Sequence, residues 1–425
     1  MTTGADVRDR LKWWTVFLLW FAVFFNYADR LLISGVVPLI RKEFGLDQVE
    51  VGTVLAAFAL TYGLFSPLAG RLVDQLRLKT SILGGLHLWS LISIATAYVR
   101  GHAGLLVARY VHGISQSAYF PGAVKMISAY HDRSRSRALG VHQTGIYVGI
   151  IAGTTGAAVI GQRYGWRAAF MGFGVCGIAL AIILQFFLRE PYEKDASAVP
   201  LSQVIREIVS RRTSLLLVLA FICSNAAGSV LFGWMPTHIY DKFGISLAKA
   251  GFYAAMSAQA GSLIGALIGG WSADRASEKT AGGRILVQAV GLGIAMPFVV
   301  VSGVAPGLAV TLVGCVGWGM FKSVYEANIF ASMFDVMPPE VRGSVVGMMN
   351  MAAWMLGAST APIVIGYIAK KSSMSIAIAS ASTIYAVGLI LLLCAMRSAP
   401  RDMFIESPVH QRNLALHAKT DGSSQ

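Results

Sequence analysis

The sequence predicts an all-α membrane protein with twelve transmembrane helices in two pseudo-symmetric six-helix bundles. Composition is the first observation behind this. Hydrophobic residues fill 55% of the 425 positions and charged residues only 13%, about half the charged share of a soluble domain. A hydrocarbon core about 30 Å thick needs about 20 apolar residues per helix, so twelve helices need about 240, close to the apolar content of this chain. Pattern is the second. The apolar residues form long runs, not the short alternating segments of a transmembrane barrel. The third is an internal repeat, described below.

The elements follow in order. The first span, 13–35, comes after Arg8, Arg10 and Lys12 and resembles a signal peptide only at first sight. It is too long, carries Asn26, Asp29 and Arg30, and has no clear small-residue cleavage site, so it reads as a retained helix. Spans 51–73, 80–99, 103–129, 138–160 and 167–188 complete a first bundle over residues 1–188. Residues 189–213 carry mixed charge with Pro191 and Pro200 and form a cytoplasmic linker. Within it, Leu201–Arg212 reads as an amphipathic helix on the inner membrane face. Spans 214–240, 250–272, 284–304, 307–335, 342–368 and 374–396 form the second bundle over 214–396, and a polar cytoplasmic tail runs over 397–425.

The formal charge of +14 is topological rather than a sign of nucleic-acid binding, because no basic domain exists to carry a nucleic acid. With the N-terminus inside, 22 Lys and Arg fall on inner segments and 9 on outer ones. That bias places both termini in the cytoplasm and the protein, as a multi-pass protein, in the cell (inner) membrane. Cys176, Cys223, Cys315 and Cys394 stand singly in apolar runs, so neither a disulfide framework nor a zinc site is supported. No nucleophile–base pair, phosphate loop or cofactor fingerprint is present. The expectation is a non-enzyme with no cofactor and no metal.

Paired marks recur in the same order. Gly70-x-x-x-Asp74 follows the second span and Gly270-x-x-x-Asp274-Arg275 the eighth. Arg135-x-x-x-x-Gly140 opens the fifth span and Arg342-x-x-x-x-Gly347 the eleventh, which pairs Gln143 with Asn350 and Tyr147 with Trp354. Parallel six-helix repeats of this kind enclose a midplane substrate site.

The segment GRLVDQLRLK at 70–79 resembles the loop signature of the major facilitator superfamily, and GWSADR at 270–275 its second copy. Gln75 stands where Arg is usual and Arg77 where Gly is usual. Within the superfamily, Asn26-Tyr27-Ala28-Asp29-Arg30 resembles the N-Y-x-D-R of the anion:cation symporter family, with its bacterial sugar-acid carriers and sialin-type transporters. QSAYFPGAVK at 116–125 and RSRALG at 135–140 fit it too. One departure is Gln116, where proton-coupled members usually carry Glu. The resemblance implies a secondary transporter of a small organic anion, with protons as coupling ion, and a monomer. It also implies that Asp74, Arg77, Asp274 and Arg275 act in gating, as inter-helix charge and helix-end contacts that hold the outward-open state.

Ionisable groups within a membrane are costly and are functional candidates by default. Asp29 and Arg30 point about 100° apart on one helix and cannot serve the same partner. Arg109 lies at a comparable depth on the fourth span. The reading is therefore an Asp29–Arg109 pair, with Arg30 left to bind a substrate carboxylate. The competing reading is a static salt bridge with Arg30 snorkelling outward. Asp29, Arg30 and Arg109 sum to +1, which favours an anion. Lys125 adds positive charge nearer the inner end. With Gln116 neutral, Asp29 is the acidic candidate for proton coupling in this half. Glu326 is a second candidate, or is simply neutralised by Lys322 at i,i+4. Gln116, Gln143, Tyr147, Asn350 and Trp354 are candidates for binding sugar hydroxyls or stacking on a ring, with packing the commoner use of aromatics. Asn225, Gln259 and Asn328 are further polar candidates. His112, His142 and His238 read as structural. Two other readings stand beside sugar-acid symport. One is a Spinster-like lipid or lysolipid carrier with an apolar cavity; the other is a transporter-like membrane sensor.

Overall fold

The computed structural model describes residues 4–131, 134–190, 200–280 and 282–404; within these, the side chains of 4–11, 74 and 136 are not described. The first half comprises α1 (Gly4–Phe44), α2 (Gln48–Gln75), α3 (Leu78–Thr96), α4 (His102–Gln116), α5 (Tyr119–Tyr130), α6 (Arg135–Tyr164) and α7 (Trp166–Phe187). After α8 (Leu201–Ser210), the second half comprises α9 (Arg212–Phe243), α10 (Leu247–Lys279), α11 (Gly283–Val304), α12 (Leu308–Glu326), α13 (Ile329–Val336), α14 (Arg342–Ala352), a π segment (Ala353–Ala358), α15 (Ala361–Lys371), α16 (Met374–Ser380) and α17 (Ser382–Asp402).

Eleven helical stretches among the described residues are long and apolar enough to cross a bilayer. The twelfth crossing is α4 and α5 together, at 15 and 12 residues too short singly. The protein is thus an all-α multi-pass membrane protein.

Hydropathy misplaced several boundaries. The first helix continues well past residue 35, because Val36, Val37 and Ile40 are buried and carry it over the polar Arg41–Lys42 end. The fourth crossing breaks at Ser117–Ala118, directly after Gln116. The tenth breaks at Ala327–Asn328, directly after Glu326. The repeat therefore breaks the same helix in each half beside a polar side chain. The linker helix α8 buries Val204 and Ile208 on one face.

Helix ends have local causes. Asp47 and Glu50 form a capping box that starts α2, and the Ser246 hydroxyl caps α10. Gly165, at φ +85°, allows the tight turn from α6 into α7. Inside each half, small residues bring helices into backbone contact. A Cβ at Gly153 would collide with the backbone of Ala28 on α1, and one at Gly265 with that of Met320 on α12. Close approach through glycine is the membrane's substitute for hydrophobic association.

The apolar cores reveal how the halves meet. One cluster (Val16, Leu19, Leu78, Tyr119, Met126, Leu184) belongs to the first half alone, near the end where the linker emerges. The other runs through the second half and continues into Leu32–Ile40, Val51, Val54 and Trp166 of the first. The halves are therefore joined at the opposite, distal end. There Gly52 packs on Pro362 and Ile363, Gly366 on Gln48 and Val49, and Gly251 on Thr154 and Ala158. Arg41 donates to both oxygens of Asp241 (2.8 and 3.1 Å), Lys370 to Asp47 (2.7 Å), and the Ala248 amide to Gln162 (3.1 Å).

The Lys370 hydrogen bond, aided by the Glu50 amide, holds the Asp47 carboxyl below its ordinary value. Its contribution is complete above that ordinary value, about 3.9, and fades as pH falls through the depressed one. Exposed ion pairs are individually weak, because solvent and salt screen them. Removing both with Arg41→Ala and Lys370→Ala should raise distal opening by about 2- to 30-fold. The check is labelling of a cysteine at Leu55, in a cysteine-free background, by an impermeant maleimide applied from the distal side. Unchanged labelling would assign closure to the glycine contacts alone.

Candidate functional site

Between the halves lies a cavity of about 500 Å³, within the size range of small-molecule sites. The first half lines it with Tyr27, Arg30, Phe58, Arg109, Gln143 and Tyr147, and the second with Asn225, Gln259, Lys322, Glu326, Asn350 and Trp354.

Arg30 lies near the middle of the 12–44 membrane span and is only 5% exposed. Its Nε donates to Gln116 Oε1 and its Nη2 to Asn26 Oδ1, both at 3.1 Å. Four aromatic rings surround the guanidinium carbon: Tyr27 at 4.4 Å, Tyr62 at 4.5 Å, Phe58 at 4.9 Å and Trp354 at 5.2 Å. Trp354 comes from the other half, on the π segment, a distortion that recurs at functional sites. Nη1 is buried without a hydrogen-bond partner, and among the described residues no carboxylate lies within 4.0 Å of this cation. The rings and two neutral amides fix its plane, and one N–H edge is left unfilled. A carboxylate arriving there would gain charge-assisted hydrogen bonds in a desolvated site.

Asp29 turns away from Arg30, as adjacent positions on a helix must, but not toward Arg109. No Asp29–Arg109 ion pair forms. The Ser93 hydroxyl lies 2.7 Å from each Asp29 oxygen, and His112 Nε2 lies 3.1 Å from Oδ2. The reason is placement. His112, one turn along α4 from Arg109, reaches the carboxylate, and α3 supplies Ser93 from the other side. Arg109 instead stacks over Phe58 at 5.0 Å, with Nε and Nη1 unpartnered, and lines the cavity. Asp29 itself is buried behind the cavity wall.

Gln116, expected as a substrate ligand, is fully buried and not among the lining residues. It holds Arg30 and donates to the Asn26 carbonyl at 3.2 Å. Gln143, Tyr147 and Asn350 all face the cavity, although Asn350 donates back to Val346. Trp354 packs edge-to-face on Tyr62 at 5.0 Å and against Arg30, and also lines the cavity. Glu326 accepts from Lys322 at 2.5 Å, and both line the cavity. Asn328 is not in the wall; it donates to the Gly269 and Val324 carbonyls. His238 lies against the Gly303 carbonyl and His142 against Tyr119.

The gating candidates lie outside this site. The side chain of Asp74 is outside the described residues. Arg77 is exposed at the start of α3. Asp274 pairs with Arg284 at 3.4 Å, Arg284 also holds Asp335 at 2.9 Å, and Arg275 stacks on Trp271 at 4.0 Å. These contacts are all within the second half. The residues that sequence reasoning missed are His112, Ser93, Asn26, Phe58 and Tyr62. The fixed i,i+4 spacing of His112 and Gln116, and of Asn26 and Arg30, was the available signal.

Residues 19–362 match the Major Facilitator Superfamily. The chain belongs to that superfamily. A "Probable galactarate/D-glucarate transporter" of Escherichia coli K12 is 24% identical, over 86% of this chain and 89% of its own. A "Probable L-galactonate transporter" of the same organism is 24% identical, over 92% and 91%. A "Hexuronate transporter" of Bacillus subtilis is 25% identical, over 86% and 89%. All three relatives are named as sugar-acid transporters, two of them as probable ones, and none as an enzyme. The crystal structure of a bacterial homolog to the human lysosomal transporter Spinster, inward-facing and unoccupied, matches with a TM-score of 0.83 at 18% identity, covering 93% of this chain and 99% of that one. At that identity the likeness speaks for fold alone.

A cation–π contact in a desolvated site is worth up to about 2 kcal/mol. Trp354→Ala should therefore weaken anion binding by up to about 30-fold, with Trp354→Tyr closer to wild type. Anion-induced thermal shifts in detergent measure this. Equal shifts in all three proteins would reduce Trp354 to packing.

Proposed function

We propose that this protein is a secondary transporter of a small organic anion of the sugar-acid class, coupled to protons and working by alternating access. The observation that carries the reading is the buried Arg30 guanidinium, which among the described residues has no carboxylate within 4.0 Å, keeps Nη1 without a hydrogen-bond partner and lines a cavity between the halves. Burying an ionised group without a counter-charge costs several kcal/mol. An arriving carboxylate removes that cost, and a cation would add to it. Gln143, Asn350, Asn225 and Gln259 supply hydrogen-bonding groups suited to hydroxyls. The substrates named for the relatives point the same way. Ile33, Leu55, Phe232 and Phe330 share the wall with these polar groups, and the uptake assay below separates an anion carrier from a lipid carrier.

The 22:9 bias of basic residues places the linker and both termini in the cytoplasm of a cell-membrane protein. In that orientation the distal ion pairs would lie outside, and the closed distal end supports assigning an inward-facing state. Rocking of the two halves about the site would exchange the open end. Asp29, the buried acid next to Arg30, is the proposed proton carrier, with Glu326 the second candidate.

Proteoliposome uptake of D-glucarate, galactarate, D-galactonate and D-glucuronate, with a lysolipid as contrast and with or without an inward proton gradient, tests this. Arg30→Ala should abolish uptake at unchanged reconstitution. Uptake that survives the change would locate the anchor elsewhere, and lysolipid transfer without sugar-acid uptake would favour the other carrier class. Asp29→Asn should remove the stimulation by the gradient. Stimulation that persists would move proton coupling to Glu326.

A further inference from the structure

We infer that His112 is the positioning residue that links the proton on Asp29 to the grip of Arg30, through Gln116. The inference rests on the proton-coupled reading above and goes beyond it to a residue on α4.

The argument is the hydrogen-bond arithmetic around one nitrogen. A guanidinium only donates, so the bond from Arg30 Nε fixes Oε1 of Gln116 as the acceptor and its Nε2 as the amide donor. That NH2 group has two hydrogens. One goes to the Asn26 carbonyl at 3.2 Å; the other points at His112 Nε2, 2.9 Å away. The same His112 Nε2 lies 3.1 Å from Asp29 Oδ2. An imidazole nitrogen offers either one lone pair or one hydrogen, never both. It therefore cannot accept from Gln116 and donate to an ionised Asp29 in one state. The site is divided between two arrangements that differ by one proton.

In the first, Asp29 is ionised, His112 carries hydrogen on Nε2 and donates it to the carboxylate, and the Gln116 amide faces an N–H with nowhere to donate. In the second, one proton has been gained. Asp29 is neutral, its O–H turned to the Ser93 hydroxyl 2.7 Å away, and the neutral ring now has its hydrogen on Nδ1. Nε2 then accepts from Gln116. The amide is held at both ends, and Oε1 fixes the plane of Arg30 at the cavity wall. The protonated arrangement is the one organised for an anion. Proton and anion favour each other's binding, which is the condition for symport, and the coupling is reciprocal.

The charged groups facing His112 are Asp29 and Arg30 on α1 and Arg109 on α4 itself. Of the helices packed on α4, α2 brings the Phe58 ring at 5.7 Å and α3 brings Ser93 to the same carboxylate. Glutamine at position 116, where a carboxylate would titrate, acts here as a relay with a fixed donor and acceptor end.

The test is the pH dependence of KM for exchange in proteoliposomes with equal pH on both sides, using whichever of the four sugar acids the wild type carries fastest. Wild-type KM should rise at least about 5-fold, the lower bound of ordinary coupling, as pH is raised through the transition. His112→Gln keeps an acceptor and a donor but has no transferable proton, and its KM should be flat with pH. Gln116→Leu cuts the link with His112 intact, raises KM, and should flatten the same profile. Anion-induced thermal shifts at the same pH values read binding where a variant does not translocate. If His112→Gln or Gln116→Leu keeps the wild-type slope, the relay is wrong while proton coupling stands. A wild type that carries the anion with a pH-independent KM overturns the relay together with the coupled reading, and a wild type that carries none of the four overturns both along with the anion assignment.

Discussion

The organisation of this protein depends on an arginine, Arg30, buried near the middle of a membrane span with no carboxylate within 4.0 Å among the described residues. A guanidinium 5% exposed, with two neutral amides and four rings around it, is costly to bury in the absence of a counter-ion. Ring quadrupoles recover part of that cost without cancelling the charge. A carboxylate partner would have stabilised the fold more and left nothing for a solute. Asp29 is adjacent in sequence yet bonded to Ser93 and His112, and this arrangement keeps Arg30 from closing on its own neighbour.

The rest of the architecture holds that arrangement rigid within a half and loose between halves. Glycine contacts bring α1 against α6, and α10 against α12, at backbone distance, and interiors packed in this way move as blocks. Between the halves, the distal end combines glycine contacts with exposed ion pairs. Exposed pairs are worth little individually and so are readily broken, as a moving interface requires. Trp354 crosses that interface to the box around Arg30. Its π segment lets one side chain of the second half sense a residue of the first.

Much of the fold was legible because a bilayer imposes a length on every helix. The crossings follow from apolar runs alone. What hydropathy missed were the breaks at Ser117 and Ala327, since local unwinding there changes neither length nor polarity. Arg30 stood out because a charge inside an apolar run has no bland explanation. Its surroundings did not. Phe58 and Tyr62 are aromatics in apolar helices, whose default role is packing, and only the fold reveals that both face a guanidinium. The expected Asp29–Arg109 pair failed for a related reason. Depth along two helices leaves several pairings open; rotation about α4 decides which residue points at Asp29, and it places His112 there. The partners in the second-half gating motif, Arg284 beside Asp274 and Asp335 beside Arg284, carry no mark of their own in the sequence.

Charge balance ties the two halves into one device. Arg30, Arg109 and Lys322 are three cations at the cavity, while Asp29 behind it and Glu326 in its wall are two anions. With both acids ionised the surplus is one positive charge, which a monocarboxylate cancels. A proton on Asp29 raises the surplus to two, and a dicarboxylate then restores neutrality where a monocarboxylate leaves one charge over. In a low-dielectric chamber a residual charge is expensive, so under the proposed symport the number of protons taken up and the number of carboxylates carried would be linked. Lys322 and Glu326 adjust this balance. Held together at 2.5 Å, they contribute nothing to the net charge, and protonating Glu326 would release one more positive charge into the same space. The neutral Gln116 in the first half and the acidic Glu326 at the matching break of the second therefore divide the work. Under the proposed symport, the first half passes the state of Asp29 to the grip of Arg30 through Gln116, and Glu326 in the second half is an acid in the wall whose protonation would change the charge that the cavity presents to its cargo.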